Sequence, residues 1–161
     1  MTDDLEEPGA LDTDAVEVRT LTPEDLDWVV LIDREHSGKT RREYYQVKLK
    51  EAEHDTSIRV SLAALIDGQP AGFLMGRLYY GEFGLPEATA VLDSIAVSRA
   101  FAHKKVGKAL LRQLRMNLNA LGIEGIQTQV EWNQMDLMSF FHHAGFVPAS
   151  RICLEMPIAE R

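Results

Sequence analysis

Residues 92–111 read L-D-S-I-A-V-S-R-A-F-A-H-K-K-V-G-K-A-L-L, and this stretch predicts a strand, a loop and a helix in succession. Its first six residues end an apolar run, 89–97, that is typical of a central strand. From Val106 to Leu121 apolar residues recur at helical spacing, and Gly122 is a natural stop after them. A loop that enters a helix in this way is typical of phosphate-binding sites, because the first N–H groups of a helix are unpaired.

The charges of this stretch are of one sign. From residue 94 to residue 123 there is no acid, whereas the same span contains six bases and a histidine, which are Arg99, His103, Lys104, Lys105, Lys108, Arg112 and Arg115. A run of bases most often forms a solvated helix face. Because this run coincides with the loop, it also favours the binding of an anion.

The rest of the chain predicts a mixed sheet with helices on both faces. Asp67 and Gly68 join two strands as a hairpin, and Thr22, Pro23 and Asp25 form a helix start with a capping box. Strands are predicted at residues 16–20, 58–66, 71–80, 89–97 and 126–132, with a last strand from 146 onward that includes 151–156 and closes the sheet. Helices are predicted at residues 23–35, 40–54, 106–121 and 135–144. This order of elements belongs to the α/β class, in its mixed α+β form.

The composition is that of an ordinary globular domain. The chain has 161 residues, 45% of them apolar and 26% charged, which suits one domain with a full core. The net charge of −8 is concentrated at the start, where residues 1–15 contain six acids and no base: Asp3, Asp4, Glu6, Glu7, Asp12 and Asp14. We therefore expect an acidic, disordered tail at 1–15 and a single domain at 16–161.

Several classes of protein are disfavoured by what the sequence lacks. No apolar run approaches the roughly 20 residues of a membrane helix, and residues 1–10 have neither the basic nor the apolar region of a signal peptide. Cys153 is the only cysteine, so an internal disulfide is excluded. His142 and His143 would point about 100° apart on a helix, and the common zinc-binding motifs are missing, so no metal site is expected. These features predict a cytoplasmic protein without a membrane segment.

Three motifs together resemble the GNAT superfamily of N-acyltransferases. Residues 92–97, the loop and V106-G-K-A-L-L111 resemble its acetyl-CoA-binding motif. Gly68 with the segment A71-G-F73 resembles the dip between its second and third strands, and F140-F-H-H-A-G-F146 resembles its aromatic-x-x-x-Gly-Phe near the C-terminus. The order of elements agrees after residue 15. The resemblance implies a mostly antiparallel sheet that splays between its fourth and fifth strands, and acetyl-CoA as the acyl donor.

The loop departs from the family pattern. In the family the loop reads Arg or Gln, then any two residues, then Gly, then any one residue, and then Gly or Ala. Ala102 stands at the Arg or Gln position, Lys105 at the first glycine, and only Gly107 remains. Either CoA binding is lost, or Lys104, Lys105 and Lys108 supply the charge while backbone N–H groups still hold the pyrophosphate. The absence of acids favours the second alternative. The resemblance then implies that Ile95 and Val97 contact the pantetheine arm of CoA through their main chain. The other residues that it implies for CoA binding are His103, Lys104, Lys105, Val106, Gly107 and Lys108.

Acyl transfer to an amine requires a base for the amine proton, and two carboxylates are candidates. Asp93 lies on the strand before the loop and Glu131 at the end of the next strand, and either can equally be a structural residue. Asn133 is a candidate for a pantetheine contact or for the cap of the last helix. The family's tyrosine acid is replaced by Phe141, which has no hydroxyl, so that group cannot protonate the thiolate.

The resemblance, together with these residues, implies an enzyme that moves an acetyl group from acetyl-CoA to a primary amine by direct attack. The alternative is a non-catalytic domain of the same fold that binds a partner or senses acyl-CoA. The acceptor, a small-molecule amine or a protein amine, cannot be read from the sequence, and nothing in it decides for or against a homodimer. Nucleic-acid binding is not expected, because the bases are few and the acidic tail opposes it.

Overall fold

A computed structural model of the chain describes residues 15–54 and 60–159. Most of the predicted acidic tail, 1–14, lies outside these residues. In chain order the elements are β1 (Val16–Thr20), α1 (Leu26–Ser37), α2 (Arg42–His54), β2 (Leu62–Ile66), β3 (Gln69–Tyr79), β4 (Thr89–Val97), α3 (Val106–Ala120), β5 (Ile126–Thr128) and α4 (Met135–His143). Short 3-10 helices are formed by Pro23–Asp25, Glu82–Gly84 and Arg99–Phe101. The chain divides after Gln129 into two compact units, and the first contains all five strands.

The framework of the first unit is a five-stranded sheet in the order β1-β2-β3-β4-β5. Neighbouring strands are antiparallel except β4 and β5, which are parallel. Phe73 of β3 belongs to a core cluster with residues of α1, whereas the neighbouring position, Gly72, faces Val106 of α3. Because successive side chains of a strand point to opposite faces, α1 and α3 cover opposite sides of the sheet. The predicted mixed sheet with helices on both faces is confirmed.

Gly72 decides how closely α3 can approach the sheet. A Cβ atom at this position would lie 2.9 Å from the Ala96 carbonyl oxygen and 2.9 Å from Val106 Cγ1. Cβ atoms do not approach other heavy atoms so closely, so a side chain here would push the first turn of α3 away from β4. The glycine of the segment A71-G-F73 therefore positions the start of the helix that follows the loop.

The core on the other face is formed where α1 and α2 pack on the sheet. Its buried members are Leu21, Val29, Val30, Ile32, Tyr45, Leu49, Ala63, Phe73 and Met75. The ring of Tyr45 contacts Phe73 edge-on with centroids 5.7 Å apart, and Trp28 contacts the same ring at 6.3 Å. Burial of such large apolar side chains is the main favourable contribution to folding.

A buried carboxylate, Asp33, joins α1 to α2. It accepts hydrogen bonds from Arg41 Nε at 2.9 Å and from the Tyr45 hydroxyl at 2.9 Å, and Ser37 Oγ lies 3.3 Å away. Burial by itself would raise the pKa of Asp33, but the donors, led by Arg41 and Tyr45, outweigh it and hold this pKa below its ordinary value. Asp33 is therefore ionised and fully paired in the folded chain.

Replacement of Asp33 by alanine should lower the free energy of unfolding near neutral pH by about 2–4 kcal/mol, because the buried Tyr45 hydroxyl and Arg41 lose their acceptor. The melting temperature should fall by roughly 5–10 °C in a calorimetric scan. Because the pKa is depressed in the folded state, the difference should be complete above about pH 4. It should shrink as the pH falls through the folded-state pKa.

Asp27 provides the matched control for this variant. It also pairs with an arginine, Arg42, but its side chain is 81% exposed. An exposed ion pair contributes little, so Asp27→Ala should change the unfolding free energy by no more than about 0.5 kcal/mol. Equal losses in the two variants would contradict a structural role for the buried pair.

One predicted strand is wrong and two others are shorter than expected. The strand predicted at 58–66 begins at Leu62, and residues 60 and 61 are described but lie outside it. Among residues 146–158, all of them described, no strand occurs, and Ile152 and Leu154 are about 85% exposed. The alternating apolar pattern gives this segment the composition of a strand, but a strand exists only where a partner supplies its ladder of hydrogen bonds. β5 stops at Thr128 instead of residue 132.

No helix within the described ranges is both long enough and apolar enough to cross a membrane.

Candidate functional site

The sheet opens where β5 leaves β4. β5 pairs with β4 at only three positions, of which the last joins Leu92 to Thr128. The Thr128 hydroxyl donates to the Leu92 carbonyl at 2.9 Å and ends the ladder there. Within the described part of the first unit, no strand pairs with this edge of β4 beyond Leu92. The last five residues of β4 therefore have no partner strand on this side, which is the free edge of β4.

A β-bulge lies at the same point. Met75 of β3 faces Ser94 of β4, whereas the next residue, Gly76, faces Leu92. Asp93 is therefore an extra residue without a partner on β3. A bulge bends its strand and redirects the side chain of the extra residue, so Asp93 leaves the ladder at the position where the sheet opens.

The Asp93 carboxylate points into a cleft with a volume of about 590 Å³. Its Oδ2 lies 3.5 Å from Lys48 Nζ on α2 and 3.6 Å from Arg77 Nε on β3. Glu51 and Glu53, from the last turns of α2, line the same cleft. Both signs of charge are thus present around a cleft of the size that takes a small ligand.

The free edge of β4 exposes the main chain of Ile95 and Val97. The Ser98 N–H donates to the Ala71 carbonyl at 2.8 Å, so Ser98 points towards β3. Hydrogen-bonding directions alternate along an antiparallel pair, so the N–H and C=O groups of residues 95 and 97 point away from β3. One of them is occupied, because His36 Nε2 lies 2.7 Å from the Val97 carbonyl oxygen and must donate to it.

The loop after β4 is held by α1 at its beginning. The carboxylate of Glu35 accepts from the Arg99 N–H at 2.8 Å, and its other oxygen lies 3.5 Å from the Ser98 hydroxyl. Adjacent residues of α1, Glu35 and His36, thus fix the end of β4 and the first turn of the loop.

The loop ends in a left-handed residue that starts the helix. Lys105 has φ 60° and His103 has φ 62°, a backbone region that favours glycine. The first hydrogen bond of α3 runs from the Ala109 N–H to the Lys105 carbonyl at 3.0 Å. The N–H groups of Val106, Gly107 and Lys108 therefore have no acceptor inside the helix and are available to an anion.

The structure brings most of the sequence-predicted residues together. Ile95 and Val97 lie on the free edge of β4, and residues 103–108 follow at the start of α3, while Asp93 lies at the bulge between β4 and the cleft. Glu131 and Asn133 belong to the second unit, after Gln129. The N-cap of α4 is Gln134, not Asn133, and the Gln134 side chain accepts from the Glu131 N–H at 3.2 Å.

Five residues of the site were not found by sequence reasoning, namely Glu35, His36, Lys48, Arg77 and Thr128. They lie on four different elements and reach β4 or the loop only through the tertiary fold. The sequence pattern of β3 gives no signal that singles out Arg77. Among the described residues there is no group of three or more His, Cys, Asp or Glu side chains that could hold a metal ion.

Comparison with known proteins identifies the class. The model of the Acetyltransferase (GNAT) family matches residues 25–146, which is most of the chain, so the protein belongs to this family. A search of curated protein sequences finds no significant relative. The family and the structural neighbours below support N-acetyl transfer as the general class of reaction.

Solved structures of the same fold are similar over nearly the whole chain. The ribosomal-protein-alanine N-acetyltransferase of Brucella melitensis biovar Abortus 2308 is 16% identical, with a TM-score of 0.72 over 90% of this chain and 100% of that chain. The aminoglycoside N-acetyltransferase AAC(6')-Iy in complex with CoA is 14% identical, with a TM-score of 0.71 over 89% and 95%. Ard1 of Thermoplasma volcanium is 22% identical, with a TM-score of 0.67 over 84% and 85%. At these identities the likeness establishes the fold.

Proposed function

We propose that the protein transfers the acetyl group of acetyl-CoA to a primary amine by direct attack. The observation that carries this proposal is the start of α3, where three unpaired N–H groups lie in a span with six bases and no acid. The positive end of the helix dipole and the lysines both favour a pyrophosphate at this point.

The unusual loop sequence fits this role. Lys105 occupies the left-handed conformation that a glycine would adopt most easily, so the backbone takes the turn without glycine. An ammonium group is a flexible point charge that can reach a phosphate without a fixed orientation. Lys104, Lys105 and Lys108 would therefore supply charge in place of the missing Arg or Gln, together with His103 and the N–H groups of Val106 and Gly107.

The free edge of β4 suits an extended, amide-containing arm such as pantetheine. An arm of this kind can pair with strand backbone as an added strand would, and its neighbour is the main chain of Ile95 and Val97. The Val97 carbonyl is held by His36, so the groups left open are the N–H of Val97 and the N–H and C=O of Ile95. Asn133 remains a proposed contact for the same arm.

Acetyl-CoA, when bound, supplies the thioester whose carbonyl carbon the amine nitrogen attacks, with cleavage of the carbon–sulfur bond and departure of the CoA thiolate. We assign removal of the amine proton to Asp93, which lies between the free edge and the cleft. A backbone N–H of the free edge donates to the carbonyl oxygen as its negative charge develops. Phe141, at the position of the family's tyrosine, offers no proton, so the thiolate leaves without that donor.

Addition of acetyl-CoA should raise the melting temperature of the full chain. A ligand at about 100 times its Kd adds about 2.7 kcal/mol of stability, which corresponds to roughly 5–10 °C for a domain of this size. CoA should act similarly, and ATP, which lacks the pantetheine arm, should give a smaller shift. Release of free thiol from acetyl-CoA in the presence of amines then measures transfer. A chain whose melting temperature is unaffected by millimolar acetyl-CoA would overturn the proposal.

A further inference from the structure

We propose that the acceptor is a small amine that also carries a carboxylate, as a free amino acid does, and that Arg77 binds this carboxylate in the cleft beside Asp93. The inference rests on the proposed acetyl transfer and names the class of acceptor for the same site. It is carried by the state of Arg77 and by the mixed charges of the cleft.

The guanidinium of Arg77 has an ionic contact with Asp93 and no side-chain hydrogen bond to any described residue. Its nitrogen nearest to the carboxylate is Nε, 3.6 Å from Oδ2. Arg19, by contrast, donates from both terminal nitrogens to Asp25, each at 2.8 Å, and Arg41 holds Asp33 through two nitrogens. The terminal nitrogens of Arg77 remain available for the paired hydrogen bonds that guanidinium forms with a carboxylate.

Arg77 is also held in place. Its Cζ lies 5.1 Å from the ring centroid of Tyr79, and its side chain is 48% exposed. Lys48 Nζ is placed in a similar way, 5.8 Å from the ring centroid of Tyr44. Two cations that rest on aromatic rings therefore flank the carboxylate of Asp93.

The spacing of the charges fits a zwitterion. In an α-amino acid, two bonded carbon atoms separate the nitrogen from the carboxylate oxygens, so the opposite charges lie about as close together as Arg77 Nε and Asp93 Oδ2 do, at 3.6 Å. An amino acid whose amine lies beside Asp93 then has its carboxylate beside Arg77 or Lys48. Glu51 and Glu53 line the cleft as well, so a positively charged side chain of the substrate would also find a partner of opposite charge.

A polycation is disfavoured where its second ammonium group lies close to the reacting amine. That group would meet Lys48 and Arg77, and like charges at short distance repel each other. The cleft thus has the character of a zwitterion-binding site, in which both charges of the substrate find a partner.

The test compares each amino acid with its carboxamide, because the amide keeps the amine and the side chain and removes only the anionic charge. Thiol release from acetyl-CoA is measured with the common amino acids, with the α-carboxamide of each one that reacts, and with spermidine and an aminoglycoside. We expect kcat/KM for the best amino acid to exceed that for its amide by about 10- to 100-fold, the range for a charge-assisted hydrogen-bond pair. Arg77→Ala should remove this preference, and Arg77→Lys should keep part of it.

The thermal shift with acetyl-CoA separates this inference from the proposed function. It should be the same in the wild type and in both Arg77 variants. Equal use of acid and amide, a preference for the polycations, or no transfer to any amino acid by a protein that binds acetyl-CoA would each overturn the inference and leave the donor site intact. Absence of the shift in the wild type would overturn the proposed function itself.

Discussion

Replacement of Asp93 by asparagine is expected to reduce transfer of the acetyl group by a factor of about 10²–10⁴, the usual contribution of a positioned general base. The side chain keeps its size but can no longer take the amine proton. The thermal shift with acetyl-CoA should not change, because the donor loop lies beyond the far end of β4. Steady-state thiol release at saturating acetyl-CoA measures the effect, and a loss of less than about threefold would exclude Asp93 as the base.

Glu131→Gln is the matched control for this prediction. Glu131 is the other carboxylate that the sequence offers as a base, and it belongs to the second compact unit. We expect its amide variant to retain most of the activity. The reverse pattern, with a large loss in Glu131→Gln and none in Asp93→Asn, would assign the base to Glu131.

Replacement of Lys105 by glutamate is expected to weaken the binding of acetyl-CoA by about 100-fold or more. The change removes a positive charge from the loop and puts a carboxylate beside the phosphates, so attraction is replaced by repulsion. Isothermal titration or the thermal shift measures the loss, and the melting temperature of the free protein should change little. Unaltered affinity would show that this loop does not hold the donor.

The Lys105→Gly variant separates the effect of the side-chain charge from the effect of the backbone conformation. Lys105 has φ 60°, which costs a non-glycine residue about 1 kcal/mol or more, so glycine should raise the stability of the free chain by a comparable amount. Loss of the ammonium should at the same time weaken acetyl-CoA binding by about tenfold. Tighter binding by the glycine variant would mean that the backbone N–H groups hold the phosphates without help from this side chain.

The elements with strong local signals were predictable from the sequence. The bounds of β4, Thr89–Val97, agree with the prediction, and α3 begins at Val106 as its apolar spacing indicates. The hairpin at Asp67 and Gly68 is confirmed, with φ 50° and 75°. These features depend on the periodicity and turn chemistry of consecutive residues.

What the sequence did not indicate depends on contacts between distant segments. The strand expected at 151–156 has the right alternation, but a ladder requires a partner that no local pattern supplies. The bulge at Asp93 arises from the register of β3 against β4, which periodicity along one strand cannot reveal. The contact of Arg77 with Asp93 and the hydrogen bond from His36 to the Val97 carbonyl are likewise properties of the folded chain.

The bulge allows the pairing of the sheet and the side chain at position 93 to change independently in evolution. Residues on both sides of Asp93 keep their partners on β3, since Leu92 faces Gly76 and Ser94 faces Met75. The residue at position 93 can therefore be exchanged, or removed, while every neighbour stays on its own face of the sheet. A lineage could acquire or lose a side chain beside the cleft by a single codon insertion or deletion, and the framework that holds the loop would be inherited unchanged.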